Sequence, residues 1–383
     1  SRGAELSPME CKNTAFWLAY RGAGHVSPNP MVGCVIVDRN HRFLAAGAHM
    51  TLGAAHAEAN ALKGLSESAL KDATVYVTLE PCAHEGKTPS CAKTMAQLPL
   101  AKVVFGATDT NPQVSGEGAA ILEAAGIEVV QDRRWAAQVQ RQNRVFFHHM
   151  ATGQLYWAIK VGCSLDGTTA LQGDSRAWIT NERSRSYGHF LRMLYDAILV
   201  GWRTVLLDNP SLNVRYGWSR PRTPLRVITD PEGRAFAAIQ KGELNLIQSE
   251  PEQTLWVVSP DFFNAHRHPI QEIVAKGVQV TSVPYDREHG FHLQTLSDCL
   301  LDMNCRSCLL EGGAETYRFF LQQRRVNFLH MFQSPKLFFG GQRLPWNTVE
   351  TPLPQVEMRI AEVSQLDDNW LVEGDLGWHR DEL

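Results

Sequence analysis

Apolar positions along the first third of the chain fall into short blocks whose spacing alternates between helix-like and strand-like, with polar turns between them. Ser7, Pro8 and Glu10 form a capping box and predict a helix over 8–20. Two β-rich runs, 31–37 and 43–48, flank the polar turn 38–42 and read as a hairpin. Ala and Leu share one face of 56–65, which predicts a helix. A strand over 74–79, a helix over 91–98, a strand over 102–105, a helix over 118–125 and a strand over 127–130 follow. Strands alternating with helices imply a mixed or parallel sheet covered on both faces, a three-layer α/β domain.

The pattern resets around 148–154, and a fresh strand over 157–161 opens a second alternating region. There the spacing predicts a helix over 183–194, strands over 197–201, 225–229, 255–258 and 307–311, and a helix over 314–323. Two α/β domains, 1–150 and 151–383, are therefore expected, as a length of 383 residues also suggests. Neither an internal repeat nor a low-complexity tract interrupts them.

Composition narrows the class. The chain is 44% hydrophobic and 20% charged with a net charge of −3, which fits a soluble globular protein. That balance weighs against a nucleic-acid binder, which usually shows a clustered basic face, but is compatible with an enzyme taking one small anionic substrate. No apolar run approaches the ~18 residues of a membrane span, and no secretory segment is visible. Cysteines at 11, 34, 82, 91, 163, 299, 305 and 308 are too scattered for a disulfide framework, so a reducing cytoplasm with metal-binding or buried thiols is expected. Cys305 and Cys308 form a C-x-x-C without a partner pair and read as buried thiols.

The chemistry concentrates at His56-Ala57-Glu58, followed by Pro81-Cys82 and by Cys91. One imidazole and two thiolates suit Zn²⁺ in a tetrahedron whose fourth position is left to water, and the ion lowers that water's pKa towards ~7. Glu58, on the same helical turn as His56, can shuttle the water's proton without being a ligand. Cys91 sits at a helix start, where the macrodipole favours its thiolate. A purely structural zinc would need a fourth protein ligand, for which His49 and His84 are the candidates. Asn29, between two prolines before a strand, offers a donor and an acceptor suited to a pyrimidine edge. These residues resemble the zinc-dependent cytidine/deoxycytidylate deaminase superfamily, His-x-Glu then Pro-Cys-x-x-Cys. Here eight residues, 83–90, separate the two cysteines instead of two, so a different substrate is expected.

A longer resemblance covers nearly the whole chain. The run from Thr78-Leu79-Glu80-Pro81-Cys82 to Pro89-Ser90-Cys91 is similar to the bifunctional riboflavin-biosynthesis deaminase/reductase family. So are Pro28-Asn29-Pro30, Asp109 to Val114, Lys160 to Gly167, Trp178-Ile179-Thr180, Asp208 to Leu212 and Glu311-Gly312-Gly313. Departures are small: Ser90 stands where relatives often carry Pro, and Cys163 replaces a usual Ala. The resemblance implies a cytidine-deaminase-like first domain that hydrolyses the 2-amino group of 2,5-diamino-6-(5-phosphoribosylamino)pyrimidin-4-one. It implies a dihydrofolate-reductase-like second domain that uses NADPH to reduce the ribosyl chain, giving 5-amino-6-(5-phosphoribitylamino)uracil.

By the same resemblance Cys163, Trp178, Thr204, Asp208 and Gly313 would contact the cofactor. Ser175, Arg192, Leu212, Arg215 and Glu311 would contact substrate, with Arg192 and Arg215 on its phosphate. No full G-x-G-x-x-G occurs, but Leu309-Leu310-Glu311-Gly312-Gly313 running into a helix can seat a pyrophosphate on backbone amides. Lys160 or Asp208 would donate the proton that accompanies hydride transfer. Two other readings stay open: a deaminase of nucleosides or nucleic-acid bases with a binding-only second half, and a non-catalytic zinc-stabilised protein. A homodimer is a prior for enzymes of this size.

Overall fold

The computed structural model describes residues 3–84, 89–108, 115–170, 178–220, 223–344 and 355–378. The chain divides into two compact units, Ser1–Gly153 and Gln154–Leu383.

In the first unit the Ser7 hydroxyl accepts from the Glu10 amide while the Glu10 carboxylate accepts from the Ser7 amide, which starts α1 (Pro8–Ala19). The elements β1 (Gly33–Val37), β2 (Phe43–Ala48), α2 (Ala57–Leu62), α3 (Glu67–Leu70), β3 (Ala73–Leu79) and α4 (Cys91–Ala96) follow. Then come β4 (Leu100–Ala107), α5 (Glu117–Ala124), β5 (Glu128–Gln131), α6 (Arg133–Gln142) and α7 (Arg144–Thr152). The helix predicted over 56–65 ends at Leu62, because Gly64 takes a left-handed φ of +80°. Helix α6 escapes the periodicity reading: its sequence is rich in Arg and Gln, and only Trp135, Ala136 and Val139 bury apolar side chains.

The five strands lie in the order β2-β1-β3-β4-β5, with β1 antiparallel to β2 and β3 and the others parallel. Side chains alternate across the sheet: Cys34 and Ile36 pack towards α2, α4 and α5, while Val35 and Val37 pack towards α1 and α6. Those are the three layers expected. Two glycines set the spacing. A Cβ at Gly33 would lie 1.9 Å from the Ala15 carbonyl of α1, and one at Gly47 2.3 Å from the Ala57 carbonyl of α2. Helix α2 therefore sits directly on β2, which fixes the height of His56 and Glu58 above the sheet.

The second unit begins β6 (Tyr156–Ser164), β7 (Thr168–Ala170), α8 (Glu182–Leu194), β8 (Ala197–Gly201), α9 (Trp202–Asp208), β9 (Leu225–Thr229), α10 (Phe236–Lys241), α11 (Asn245–Gln248) and β10 (Thr254–Val258). It continues α12 (Pro260–Ala265), α13 (Arg267–Ala275), β11 (Gln279–Ser282), β12 (Tyr285–Asp286), β13 (Gly290–Phe291), α14 (Leu293–Asp302) and β14 (Ser307–Leu310). Last are α15 (Ala314–Gln322), β15 (Phe328–Ser334), β16 (Gln342–Arg343), β17 (Glu357–Leu366) and β18 (Asn369–Gly377). A nine-stranded sheet runs β11-β10-β9-β8-β14-β6-β15-β18-β17, parallel from β11 through β15 and closed by the antiparallel strands β18 and β17. Trp157, Ile159, Leu199 and Val227 bury one face against α14 and α15; Ile198, Ile228 and Trp256 bury the other against α10 and α13. Cys305 and Cys308 are buried thiols, as expected.

Because Gly33 leaves no room for a methyl group, Gly33→Ala should cost the first unit about 1–3 kcal/mol. Scanning calorimetry should show its transition several degrees lower, and an unchanged midpoint would contradict the close approach of α1 to β1.

Candidate functional site

His56 is the N-cap of α2 with an extended backbone (φ −67°, ψ 165°), Cys82 follows β3, and Cys91 opens α4. His56 Nδ1 lies 3.5 Å from Cys82 Sγ and 3.4 Å from Cys91 Sγ, and all three donor atoms lie within 4.8 Å of one another. A tetrahedral Zn²⁺ with Zn–N about 2.05 Å and Zn–S about 2.3 Å separates N and S by about 3.5 Å, so these donors fit it. Among the described residues no fourth His, Cys, Asp or Glu joins them. His84 is exposed. His49 is occupied: its Nδ1 meets the Ala55 carbonyl at 3.2 Å and its Nε2 meets Asn29 Nδ2 at 3.5 Å. The purely structural reading of the site thus has no fourth ligand among these residues, and Asn29 stands one ring away from His56.

Hydrogen bonding from Cys91, through its side chain and its amide (3.3 Å), and the neighbouring His56 hold the Cys82 thiol well below its ordinary range. A bound cation would hold both sulfurs as thiolates. Glu58 is only 4% exposed; burial pushes its carboxyl up to about 7, and it reaches the Cys91 thiol.

Three supports hold the cysteines. The Ser90 hydroxyl donates to the Cys82 carbonyl (2.8 Å) and accepts from the Lys93 amide (3.2 Å), so the departure from Pro adds a tie between the ligands. The Glu80 carboxylate accepts from the Gly116 and Ala119 amides, each at 3.1 Å, capping α5. A Cβ at Gly118 would lie 1.9 Å from the Pro81 carbonyl, so the start of α5 is wedged against the Cys82 turn. Glu80 was not singled out from the sequence; its place next to Pro81-Cys82 was the available signal.

In the second unit a cleft of about 1240 Å³ opens over the ends of β6, β14, β8 and β9. Lys160, Thr204, Asp208, Glu311 and Gly313, all singled out from the sequence, line it. Glu311 directly follows β14 and meets Arg192 through two bonds of 2.6 and 2.7 Å and Lys160 at 3.3 Å. Burial alone would raise its carboxyl, but the two cations hold it down at about 2. Gly312 and Gly313 have φ of +131° and +88°, which a side chain would strain, and Gly313 caps the nine-residue helix α15. Burial raises the Asp208 carboxyl.

Arg192 also donates to the Asn213 carbonyl (3.1 Å), and His189 Nδ1 accepts from the Arg215 amide (3.0 Å). Burial and the Arg192 and Arg215 charges push His189 down to about 4, so it stays a neutral acceptor. Helix α8 thereby pins the segment between Leu212 and Tyr216, both at positive φ. His189 escaped the sequence reading because a single His on a helix carries no spacing signal.

Not every expected contact lines the cleft. The side chains of Cys163 and Leu212 are buried in the cores, where burial pushes the Cys163 thiol up to about 11, so only their backbones are available to a ligand. Trp178 is 67% exposed with the Arg185 guanidinium 4.6 Å over its ring, and it does not line the cleft. Ser175, residues 85–88 and the 109–114 motif lie outside the described residues. Arg203, Glu232, Arg234 and Arg287 line the cleft although nothing in the sequence marked them.

Residues 9–107 match the cytidine and deoxycytidylate deaminase zinc-binding region, and residues 156–372 match the RibD C-terminal domain. The chain is 39% identical over 342 residues to the riboflavin biosynthesis protein RibD of Escherichia coli K12, covering 86% of this chain and 88% of that protein. To RibD of Bacillus amyloliquefaciens it is 34% identical over 333 residues, 87% and 85% of the two chains. The solved structure of Acinetobacter baumannii RibD, form 1, superposes with a TM-score of 0.76 at 32% identity, covering 96% of this chain and 98% of that one. A Thermotoga maritima diaminohydroxyphosphoribosylaminopyrimidine deaminase/5-amino-6-(5-phosphoribosylamino)uracil reductase superposes with 0.75 at 29% identity, covering 96% and 98%. The expected fold classes are those found: a cytidine-deaminase-like first unit, and a second unit of the dihydrofolate-reductase-like RibD type.

Elemental analysis of the purified chain should find one zinc per molecule, and Cys82→Ala or Cys91→Ala should remove most of it; retention near one would contradict the ligand set. The second unit should carry an acid signature. Glu311 has an ordinary value of 4.5 and a folded value of about 2, so its stabilisation is complete above pH 4.5 and drains away as pH falls through 2. Glu311→Gln should flatten that part of the urea midpoint against pH, whereas parallel curves would exclude the pairing.

Proposed function

The chain belongs to the RibD family of riboflavin-biosynthesis proteins, and from that membership we propose that it is a bifunctional deaminase and reductase. Residues 1–150 form the deaminase domain and 151–383 the reductase domain. The observation that carries this reading is the pairing of a zinc-shaped donor triangle beside the buried Glu58 with a second, separate cleft built on Lys160, Glu311 and a Gly-Gly turn.

In the first domain His56, Cys82 and Cys91 would hold Zn²⁺, which supplies a water acidified enough to ionise near neutral pH. Asn29, anchored by His49, presents the donor and acceptor that read the pyrimidine edge. Glu58 would carry one proton of the water to the ring nitrogen and the second, from the hydroxyl then on C2, to the leaving amine. A C–O bond forms at C2, the C–N bond breaks, and ammonia departs. The substrate of this reading is 2,5-diamino-6-(5-phosphoribosylamino)pyrimidin-4-one.

In the second domain NADPH is the proposed hydride donor. The amides following Gly312 and Gly313, at the start of α15, seat its pyrophosphate. Opening of the ribosyl ring gives an imine; hydride adds at its carbon and a proton at its nitrogen. Lys160 and Asp208 both line the cleft, which supports the reading that one of them supplies that proton. Lys160 and Arg192 are both held by Glu311; Arg192 and Arg215, which do not themselves line the cleft, are the residues this reading assigns to the substrate phosphate. The product would be 5-amino-6-(5-phosphoribitylamino)uracil.

Eight unpaired cysteines support a cytoplasmic setting. Among the described residues no helix is long and apolar enough to cross a membrane. Exposed Ile360, Val363 and Trp370 on the edge hairpin β17–β18 are the surface we assign to a homodimer.

Given the diaminopyrimidinone phosphate and NADPH, the purified protein should release ammonia and oxidise NADPH. Glu58→Ala should cut ammonia release by at least about a hundredfold while leaving reduction of the pre-deaminated intermediate intact. Loss of both activities with zinc retained would overturn the two-site assignment, and ammonia release without NADPH oxidation would leave only the deaminase.

A further inference from the structure

We propose that Asn143 is a positioning residue of the deamination site: its side-chain amide clamps the main chain of Met31 and so fixes Asn29, the group that reads the pyrimidine edge. The proposal rests on the reading of Asn29 as a substrate contact. Asn143 lies in neither matched family region, since one ends at residue 107 and the other begins at 156.

The geometry of the clamp carries the inference. Asn143 sits at the junction of α6 and α7 and is only 4% exposed. Its Oδ1 accepts from the Met31 amide (2.8 Å), and its Nδ2 donates to the Met31 carbonyl (3.0 Å). Nδ2 also donates to the Val139 carbonyl (3.4 Å), one turn back in α6. Only a carboxamide offers an acceptor and a two-hydrogen donor on one planar group, and Gln would carry it a methylene further.

Met31 is a place where such a clamp matters. Asn29 is exposed, and its neighbours Pro28 and Pro30 have no amide hydrogen with which to tie the segment down. The Asn29 amide donates back to the Val26 carbonyl (2.8 Å), and the Val32 carbonyl accepts from the His49 amide (2.9 Å). Between those two ties, Met31 is bonded to Asn143 through both of its main-chain groups. The side-chain contact of Asn29 with His49 is long, at 3.5 Å, so the place of its carboxamide depends chiefly on where the main chain is held.

Helix α6 gives the clamp a fixed base. Asp132 caps its start, accepting from the Arg134 and Trp135 amides (3.0 and 3.1 Å), and pairs with Lys12 of α1 (2.6 Å). At its other end Gln142 donates to the Phe16 carbonyl of α1 (2.8 Å). Trp135 and Val139 are buried on the sheet between these ends, and a Cβ at Gly106 of β4 would lie 3.0 Å from Val139. Loss of the Asn143 carboxamide would therefore loosen the segment around Asn29 while α6 stays anchored.

The test follows ammonia release by the purified full chain across concentrations of the diaminopyrimidinone phosphate. It compares the wild type with Asn143→Ala, Asn143→Asp, Asn29→Ala and the double variant of Asn29→Ala with Asn143→Ala. Asn143→Ala should raise KM about tenfold and leave kcat within about twofold, with one zinc retained and reduction of the pre-deaminated intermediate unchanged. Because Asn143 acts through Asn29, its removal in the Asn29→Ala background should raise KM no further. Asn143→Asp keeps the size of the side chain, and so serves even where the alanine variant fails to fold. Its carboxylate would face the Met31 and Val139 carbonyls, so its KM relative to wild type should fall towards one between about pH 8 and about pH 6, as protonation restores a donor. An unchanged KM, a loss of zinc, a fall in kcat alone, or an equal KM rise in the Asn29→Ala background would overturn the positioning role. An Asn29→Ala variant with the wild-type KM would instead overturn the reading of Asn29 from which it starts.

Discussion

Two cysteine sulfurs and an imidazole nitrogen lie within 4.8 Å of one another, and two thiolates that close repel unless a cation sits between them. The Cys91 amide faces the Cys82 sulfur and favours its thiolate. Much of the surrounding fold maintains that crowding. Gly47 lets α2 rest on the sheet with His56 at its head, and Ser90 ties the two cysteine turns together. Glu80 and Gly118 press α5 against Pro81. Zn²⁺ bound among these donors would offset that repulsion, and supports that already hold the donors in place are how a preorganised site gains affinity.

The second unit solves a related problem with opposite charges. Glu311 is a carboxylate nine-tenths buried or more, and Arg192 and Lys160 keep it ionised. Its position at the end of β14, one residue before the Gly-Gly turn, joins a fixed charge array to a set of backbone amides. The parallel strand order places that junction at the middle of the cleft, with loops from β6 on one side and from β8 and β9 on the other. A cleft across the carboxyl ends of parallel strands is the usual place for a ligand in such sheets.

How much of this was legible in the sequence follows from the range of each interaction. The Ser7–Glu10 capping box, the β-rich run of β1 and the His-x-Glu spacing are local, and each reads directly from neighbouring residues. So does the glycine pair after Leu310. Helix α6 was not legible because its stability comes from three buried side chains and a cap by Asp132 rather than from an apolar stripe. The β17–β18 hairpin alternates little, since most of β17 is exposed. Charge clusters assembled from distant segments, such as His189 with Arg215 or Glu232 with Arg234 and Arg287, have no sequence period.

The central claim is that one histidine and two cysteines hold a single zinc with a position left for water. X-ray absorption at the zinc edge of the purified full-length chain tests it most directly. The account predicts a four-coordinate ion with two sulfurs at about 2.3 Å and two light atoms at about 2.0 Å, of which one shows imidazole multiple scattering. Three or four sulfurs, or two imidazoles, would contradict it.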